Sequence, residues 1–361
     1  MTILFEPTRI GKREVKNRWV RSATAERLVD SDGLVTTALI DVYRTLAQGG
    51  VGTIITGHSF VREDGRSGYQ MMGIHNDQTI AGLKKLVQAA HKYDVCILAQ
   101  INHVGRHAPG ALIGANPLTP SIKQDERLTG QYSPRAMTEP DIRELIQAFV
   151  AHGYLISQTL SPLSNKRTDG WGGSINNRTR FLLEIFKQIR LAVGADFIIW
   201  VKMNCEDFID GGFSLVDSLA AANQLTKVGI DALEISGGVG FNQVIRTGIN
   251  TLADEAYFLD QARQFRNNLP ELPLILVGGI RSLETMEQLV VQERLNLVAL
   301  SRPFIHEPDL IEKLHKKKQT KSLCHSCNVC LKKKREPVKC SVPVAPLGVL
   351  VPRPRRDLGR A

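Results

Sequence analysis

Short apolar, β-branched runs followed by longer amphipathic stretches recur along most of the chain, and this alternation constrains the fold more than any other feature. Such a pattern marks successive βα units and a parallel sheet. Candidate strands lie at 18–22, 53–56, 95–100, 197–202, 232–236, 274–277 and 297–300. Helical patterns lie at 37–48, 78–92, 177–193, 214–226, 255–267 and 283–291. Several strands run out into residues suited to phosphate or cofactor contact: Thr56-Gly57, Gln100, Ser236-Gly237-Gly238, Gly278-Gly279 and Ser301-Arg302. In parallel barrels the C-terminal strand ends carry the active site, and glycine there admits close backbone approach to a ligand.

The spacing contains a defect. Candidate strand centres fall near 20, 54, 98, 200, 234, 276 and 298, so the interval from 98 to 200 is more than twice any other. Seven strands do not close an eight-stranded barrel. The segment 154–160 is apolar enough to be drafted as the missing strand, but its alternation is poor. The expectation is a (β/α)8 TIM barrel, class α/β, lacking one helix–strand unit around its fourth strand.

Composition locates the charge. The chain of 361 residues carries +10, but 14 Lys/Arg face only 3 Asp/Glu from 312 onward, which leaves the body near neutrality. A neutral body argues against a nucleic-acid-binding barrel. The basic tail reads first as a solvated end, and nucleic acid or another partner as its alternative. No apolar run is long enough to span a membrane. The N-terminus lacks the pattern of a signal peptide, so a cytoplasmic protein is expected. Cys96 and Cys205 stand apart, whereas Cys324, Cys327, Cys330 and Cys340 crowd the tail. In such a chain a cluster of this kind points to metal or iron–sulfur ligation before disulfides. A barrel at 1–315 and a partly disordered cysteine-rich tail at 316–361 are the expected domains.

Specific motifs sharpen this reading. His152-Gly153-Tyr154-Leu155-Ile156-Ser157-Gln158 continues through Leu160-Ser161-Pro162 and Asn165-Lys166-Arg167-Thr168-Asp169 to Gly172-Gly173-Ser174 and Asn177-Arg178-Thr179-Arg180-Phe181. This run resembles the signature of the old yellow enzyme family of NADH:flavin oxidoreductases, in the branch that includes the barrels of bacterial 2,4-dienoyl-CoA reductases. Lys16-Asn17-Arg18, Gln100-Ile101-Asn102-His103-Val104-Gly105-Arg106 and Ser301-Arg302-Pro303-Phe304 extend the resemblance from about residue 5 to 314.

The resemblance implies an FMN-dependent enzyme that takes hydride from NAD(P)H and delivers it through flavin N5 to an activated alkene, an α,β-unsaturated carbonyl compound. Gln100 would serve the flavin pyrimidine edge with an amide that both donates and accepts. Lys202 would place a cation near flavin N1 and O2, where many relatives have arginine. Ser22, Ala23 and Thr24 would line the isoalloxazine, with Gly57 beside them. Gly237, Gly278, Gly279, Ser301 and Arg302 would form the phosphate end. Ala25 stands where some members have Cys or Thr beside the flavin. Tyr154 would be the proton donor and His152 one half of the pair that clamps the substrate carbonyl.

The other half of that pair would fall on Phe149, which cannot donate a hydrogen bond. Between Ala148 and His152 the family places a helix, a turn and a strand, and roughly fifteen to twenty residues are absent here. The strand count and the resemblance identify the same gap. An alternative is therefore a truncated, poorly active or inactive member. His103 and Arg106 are candidate substrate- or flavin-facing residues. Asn176 or a neighbour should cap the helix that follows the signature. The tail cysteines match the place of a four-cysteine [4Fe–4S] site in dienoyl-CoA reductases and trimethylamine dehydrogenase, with different spacing. Zinc and a metal-free remnant remain open readings of the same four thiols.

Overall fold

The computed structural model describes residues 2–122, 131–148, 154–239, 245–332 and 336–342. Its centre is a seven-stranded, all-parallel sheet. The strands are β1 (Trp19–Arg21), β2 (Thr53–Ile55), β3 (Cys96–Leu98), β4 (Trp200–Asn204), β5 (Ala232–Ser236), β6 (Leu274–Val277) and β7 (Leu297–Leu300). Their order is β4-β5-β6-β7-β1-β2-β3, so the β7–β1 pairing that joins the two ends of the chain is made. Among the described residues no strand pairs with the outer edge of β3 or of β4. Among the described residues the barrel is open between β3 and β4.

The flanking helices are α1 (Thr37–Gln48), α2 (Ile80–His91), α3 (Glu139–Ala148), α4 (Tyr154–Leu160), α5 (Ile175–Val193), α6 (Leu215–Lys227), α7 (Leu259–Asn268) and α8 (Leu283–Val291). Thr36, Ser174, Ser214 and Ser282 cap α1, α5, α6 and α8, each side chain accepting the N–H of the third residue onward. The cap of α5 is thus Ser174, two residues before Asn176. A short antiparallel hairpin, Thr8–Ile10 with Arg13–Val15, closes the N-terminal end of the barrel by inserting Ile10 and Val15 into the interior cluster.

That cluster also contains Val20, Ile55, Ala232, Ile275, Leu297 and Ala299, all buried, while Cys96, Leu98 and Trp200 are only partly covered. The difference follows from the missing strand: β5, β6 and β7 have neighbours on both sides, β3 and β4 on one. Phe197, expected to begin β4, lies on this open side 59% exposed, and the strand starts three residues later.

The segment drafted as a strand is the helix α4. Leu155, Ile156, Thr159 and Leu160 are buried, a spacing that repeats at i+4 rather than i+2. The Leu155 amide donates to His103 O (3.1 Å), Gln158 donates to Val104 O and accepts from the Arg106 amide, and Ser161 Oγ donates to Asp207 (2.6 Å). Helix α4 therefore ties the loop after β3 to the loop after β4 across the top of the gap, and does not fill it.

Candidate active site

The strand registers bring the central group together. Lys202 and Glu234 are direct partners on β4 and β5, and both point into the barrel, as do Trp200 and Ala232 two residues earlier. Lys202 Nζ lies 3.1 Å from Glu234 Oε1 and donates to Ser22 Oγ at 3.1 Å, while Ser22 Oγ donates to Glu234 at 2.6 Å. Glu234 is fully buried and its Oε2 has no hydrogen-bond partner among the described residues. Beside this triangle Thr24 and Ser301 share a hydrogen bond of 2.7 Å, joining the ends of β1 and β7. Gln100 is buried just after β3, its backbone N–H donating to Thr56 Oγ1.

Gly57 sits in a crowded corner. A Cβ there would lie 2.7 Å from Glu26 Oε2 and 2.8 Å from Thr24 O. Glu26 pairs with Arg21 at 2.9 Å in a site almost closed to water. Burial raises the Glu26 carboxyl above its usual range, against the opposing charge of Arg21. Tyr43 Oη accepts the Gly57 N–H. The close approach expected of Gly57 is to the protein's own carboxylate.

At the other end, Gly278 and Gly279 follow β6 with φ +142° and +73°. A Cβ at Gly279 would fall 2.6 Å from the Tyr257 ring, one at Gly278 2.9 Å from the same ring, and one at Gly237 2.8 Å from Phe258. Arg246 lies over Tyr257, its guanidinium 4.5 Å from the ring centre. Arg302 donates to Arg246 O (2.8 Å) and to Asn328 Oδ1 (2.5 Å), which links the expected phosphate end to the tail.

A cleft of about 810 Å³ opens at the barrel mouth, lined by Ala25, Arg27, Gly57, His58, Tyr69 and Leu112 among others. Burial, then the nearby Arg27, push His58 down to about 4, so it is neutral at pH 7. Tyr154 opens α4, and its neighbour Leu155 is bonded to the end of the β3 loop, so the backbone of the expected proton donor is at the mouth. His152 and Phe149 lie outside the described residues. His103 is fully buried: Nδ1 accepts the Gly105 N–H and Nε2 faces Asp64 at 3.1 Å. It is a strut of the β3 loop, with both ring nitrogens engaged in protein contacts.

The four tail cysteines line one small cavity together with Arg302, His306 and Asn328. Ser326 and Asn328, both in the left-handed region, fold the chain between them, and Arg281 holds Ser326 Oγ at 2.6 Å. Further bonds from Ser322 and Leu323 to Glu307 fix residues after 316 to the barrel. Burial and then the neighbouring Cys324, Cys340 and Cys327 push the Cys330 thiol up to about 11. Among the described residues no three His, Cys, Asp or Glu side chains are grouped to hold a metal ion.

The family described as NADH:flavin oxidoreductase / NADH oxidase matches residues 3–151 and 148–321. The chain belongs to that family. The two matched pieces meet at 148–151, where the sheet loses its strand. Members of the family are flavin-dependent NAD(P)H oxidoreductases. Among curated relatives, an NADH oxidase of Thermoanaerobacter brockii is 34% identical over 90% of this chain, and an NADPH dehydrogenase of Clostridium acetobutylicum is 31% identical over 84% of it. The chain spans 53% of the first and 92% of the second. Among solved structures, a 2-naphthoyl-CoA reductase superposes with TM-score 0.82 at 28% identity, covering 91% of this chain and 54% of that one. Morphinone reductase, at TM-score 0.73 and 22% identity over 89% of this chain and 91% of its own, shares the barrel fold. No helix among the described residues is long and apolar enough to cross a membrane.

Sequence reasoning missed Glu234, Arg246 and Tyr257. A lone glutamate inside an otherwise apolar strand is the one signal that marked Glu234 in advance.

Proposed function

We propose that this chain binds FMN across the C-terminal ends of its strands and reduces an activated alkene of the α,β-unsaturated carbonyl class with NAD(P)H. The observation that carries the reading is the Lys202–Ser22–Glu234 triangle inside the barrel, together with the Gly278-Gly279 turn that follows β6 at the end of the sheet where such barrels do chemistry. An orphaned buried carboxylate oxygen and a lysine held inside the barrel fit a polar cofactor edge better than an apolar core.

When bound, FMN supplies hydride transfer between the nicotinamide and the substrate. Lys202 holds positive charge where reduction adds negative charge. Gln100 donates and accepts at the pyrimidine edge, with Ser22, Ala23, Thr24 and Gly57 along the ring. Gly237, Gly278, Gly279, Ser301 and Arg302 receive the phosphate. The cleft at Ala25, His58 and Tyr69 admits the substrate. Tyr154 would deliver a proton to the substrate carbon, and His152 would donate to its carbonyl.

The four tail cysteines belong to this reading as a site for a [4Fe–4S] cluster, which supplies one-electron transfer. Four thiols that line one cavity, at the place where the dienoyl-CoA reductases that the chain resembles carry such a cluster, support this reading. Residues 316–361 would form the module that carries it.

An absorption spectrum of anaerobically purified protein, with iron and sulfide analysis, tests both parts. Bound flavin and enone-dependent NAD(P)H oxidation are expected. Protein that stays colourless after FMN is added refutes the flavin site. Four thiols without iron refute the cluster.

The open flank favours a second reading, in which the chain keeps a flavin site but turns over poorly. Inserting the helix–strand unit of the Clostridium acetobutylicum relative between residues 148 and 154 should then raise flavin content and turnover. No gain in either counts against it.

A further inference from the structure

We infer that Glu234 is the counter-ion of Lys202 and sets how much positive charge that lysine presents to the flavin; the inference rests on the FMN-binding reading above.

Apart from Lys202, its register partner, Glu234 faces a barrel interior whose strand residues include Val20, Ala232, Ile275, Leu297 and Ala299. A buried ion pair in such a place adds little net stability over apolar side chains of the same volume, because both charges lose their water. Stability alone therefore gives no reason for a carboxylate here. Its geometry does. Glu234 Oε1 lies 3.1 Å from Lys202 Nζ and accepts the Ser22 hydroxyl at 2.6 Å, and that hydroxyl in turn accepts from Lys202. The register Lys202↔Glu234 places the two side by side on adjacent parallel strands. Both Glu234 and Ser22 contact the lysine. Its charge is offset by a carboxylate that water does not screen, since Glu234 is 0% exposed.

The electrical consequence has a definite sign. Two-electron reduction leaves negative charge on the flavin, which a bare cation favours and a neutral ion pair favours less. Glu234 thus lowers the driving force for flavin reduction and fixes the direction in which Lys202 points. It acts through Lys202 and is a positioning residue.

The test is the midpoint potential and FMN affinity of the wild-type protein, E234Q, K202M and K202M/E234Q, with potentials read against dyes of known potential. E234Q keeps the shape and removes the charge. It should shift the equilibrium toward reduced flavin about tenfold, or ~30 mV for a two-electron couple. K202M should shift it the other way. In the K202M background there is no cation for Glu234 to offset or orient, so adding E234Q should change the equilibrium by less than about threefold.

An unchanged potential in E234Q that still binds FMN overturns the inference alone. Equal E234Q shifts with and without Lys202 overturn it as well. Should E234Q fail to fold, K202M and the double variant, which carries no buried charge at the pair, still decide: a gap between them above about threefold refutes it. A wild-type protein that binds no FMN removes both this inference and the reading it rests on.

Discussion

Replacing Gly279 by alanine should be among the most damaging single-methyl changes in the barrel, and its cost can be worked from two geometric facts. Gly279 has φ +73°, a conformation that costs an L-residue about 1–2 kcal/mol. The added Cβ would also stand 2.6 Å and 2.7 Å from two carbons of the Tyr257 ring, which itself lies under Arg246. Relieving such an overlap costs about 1–3 kcal/mol. The sum is about 2–5 kcal/mol, a large share of the about 5–15 kcal/mol that stabilises a typical domain. Two other glycines separate the causes. Gly211 has φ +71° with no atom within 4 Å of the Cβ position, so Gly211→Ala should cost only the strain, about 1–2 kcal/mol. Gly68 has neither a positive φ nor a near neighbour, and Gly68→Ala should be neutral or stabilising by about 0.4–1 kcal/mol. Urea unfolding of the FMN-free proteins measures the series, and FMN titration should show weakened binding for Gly279→Ala alone. Equal losses for Gly279→Ala and Gly211→Ala would refute the argument from the Tyr257 contact.

Three further outcomes are expected. Burial alone would raise the Asp64 carboxyl, but hydrogen bonds from Arg62 and His103 outweigh it and hold the group well below the carboxylate range. A depressed folded-state pKa contributes stability above the unfolded value of about 4 and loses it as pH falls further. Asp64→Asn should therefore destabilise by about 1–3 kcal/mol at pH 7, with the difference shrinking below about pH 4 in urea titrations. In metal-free protein, alkylation at pH 8 followed by mass mapping should mark exposed Cys327 well before Cys330, at about 11, or Cys205, which burial pushes up to about 12. Equal rates would contradict the buried, mutually repelling thiols. Trp200 is half-buried whereas Trp19 and Trp171 are covered, so Trp200→Phe should remove the most acrylamide-quenchable part of the fluorescence. Unchanged quenching would mean that Trp200 is covered in solution.

Legibility in the sequence tracked burial. Strands β5, β6 and β7 fall at the residues their apolar runs predict, because each is covered on both faces and bounded by Gly, Ser or Asn. β4 starts three residues later than expected, and Phe197 before it stays exposed. The segment 154–160 shows the limit of short apolar runs: seven residues cannot declare helix or strand, and contacts with His103, Val104 and Arg178 made it a helix. The candidate site divides in the same way. Ser22 and Lys202 were visible through their motifs. Glu234 meets Ser22 across 212 positions of chain, a distance that no local pattern encodes.

The sequence by itself determined the family, the parallel α/β barrel and the place of its defect. Those rest on periodicity, on turn residues and on an unbroken signature, all of which are properties of neighbouring positions. Only the tertiary structure decided that the defect stays open between β3 and β4, with α4 spanning its top. It also decided that the glycines at the strand ends yield to the protein's own rings and carboxylate, and that the lysine of the site is met by a buried glutamate. The physical reason is shared: each of these depends on which strands become neighbours, and register, not sequence order, brings their side chains face to face.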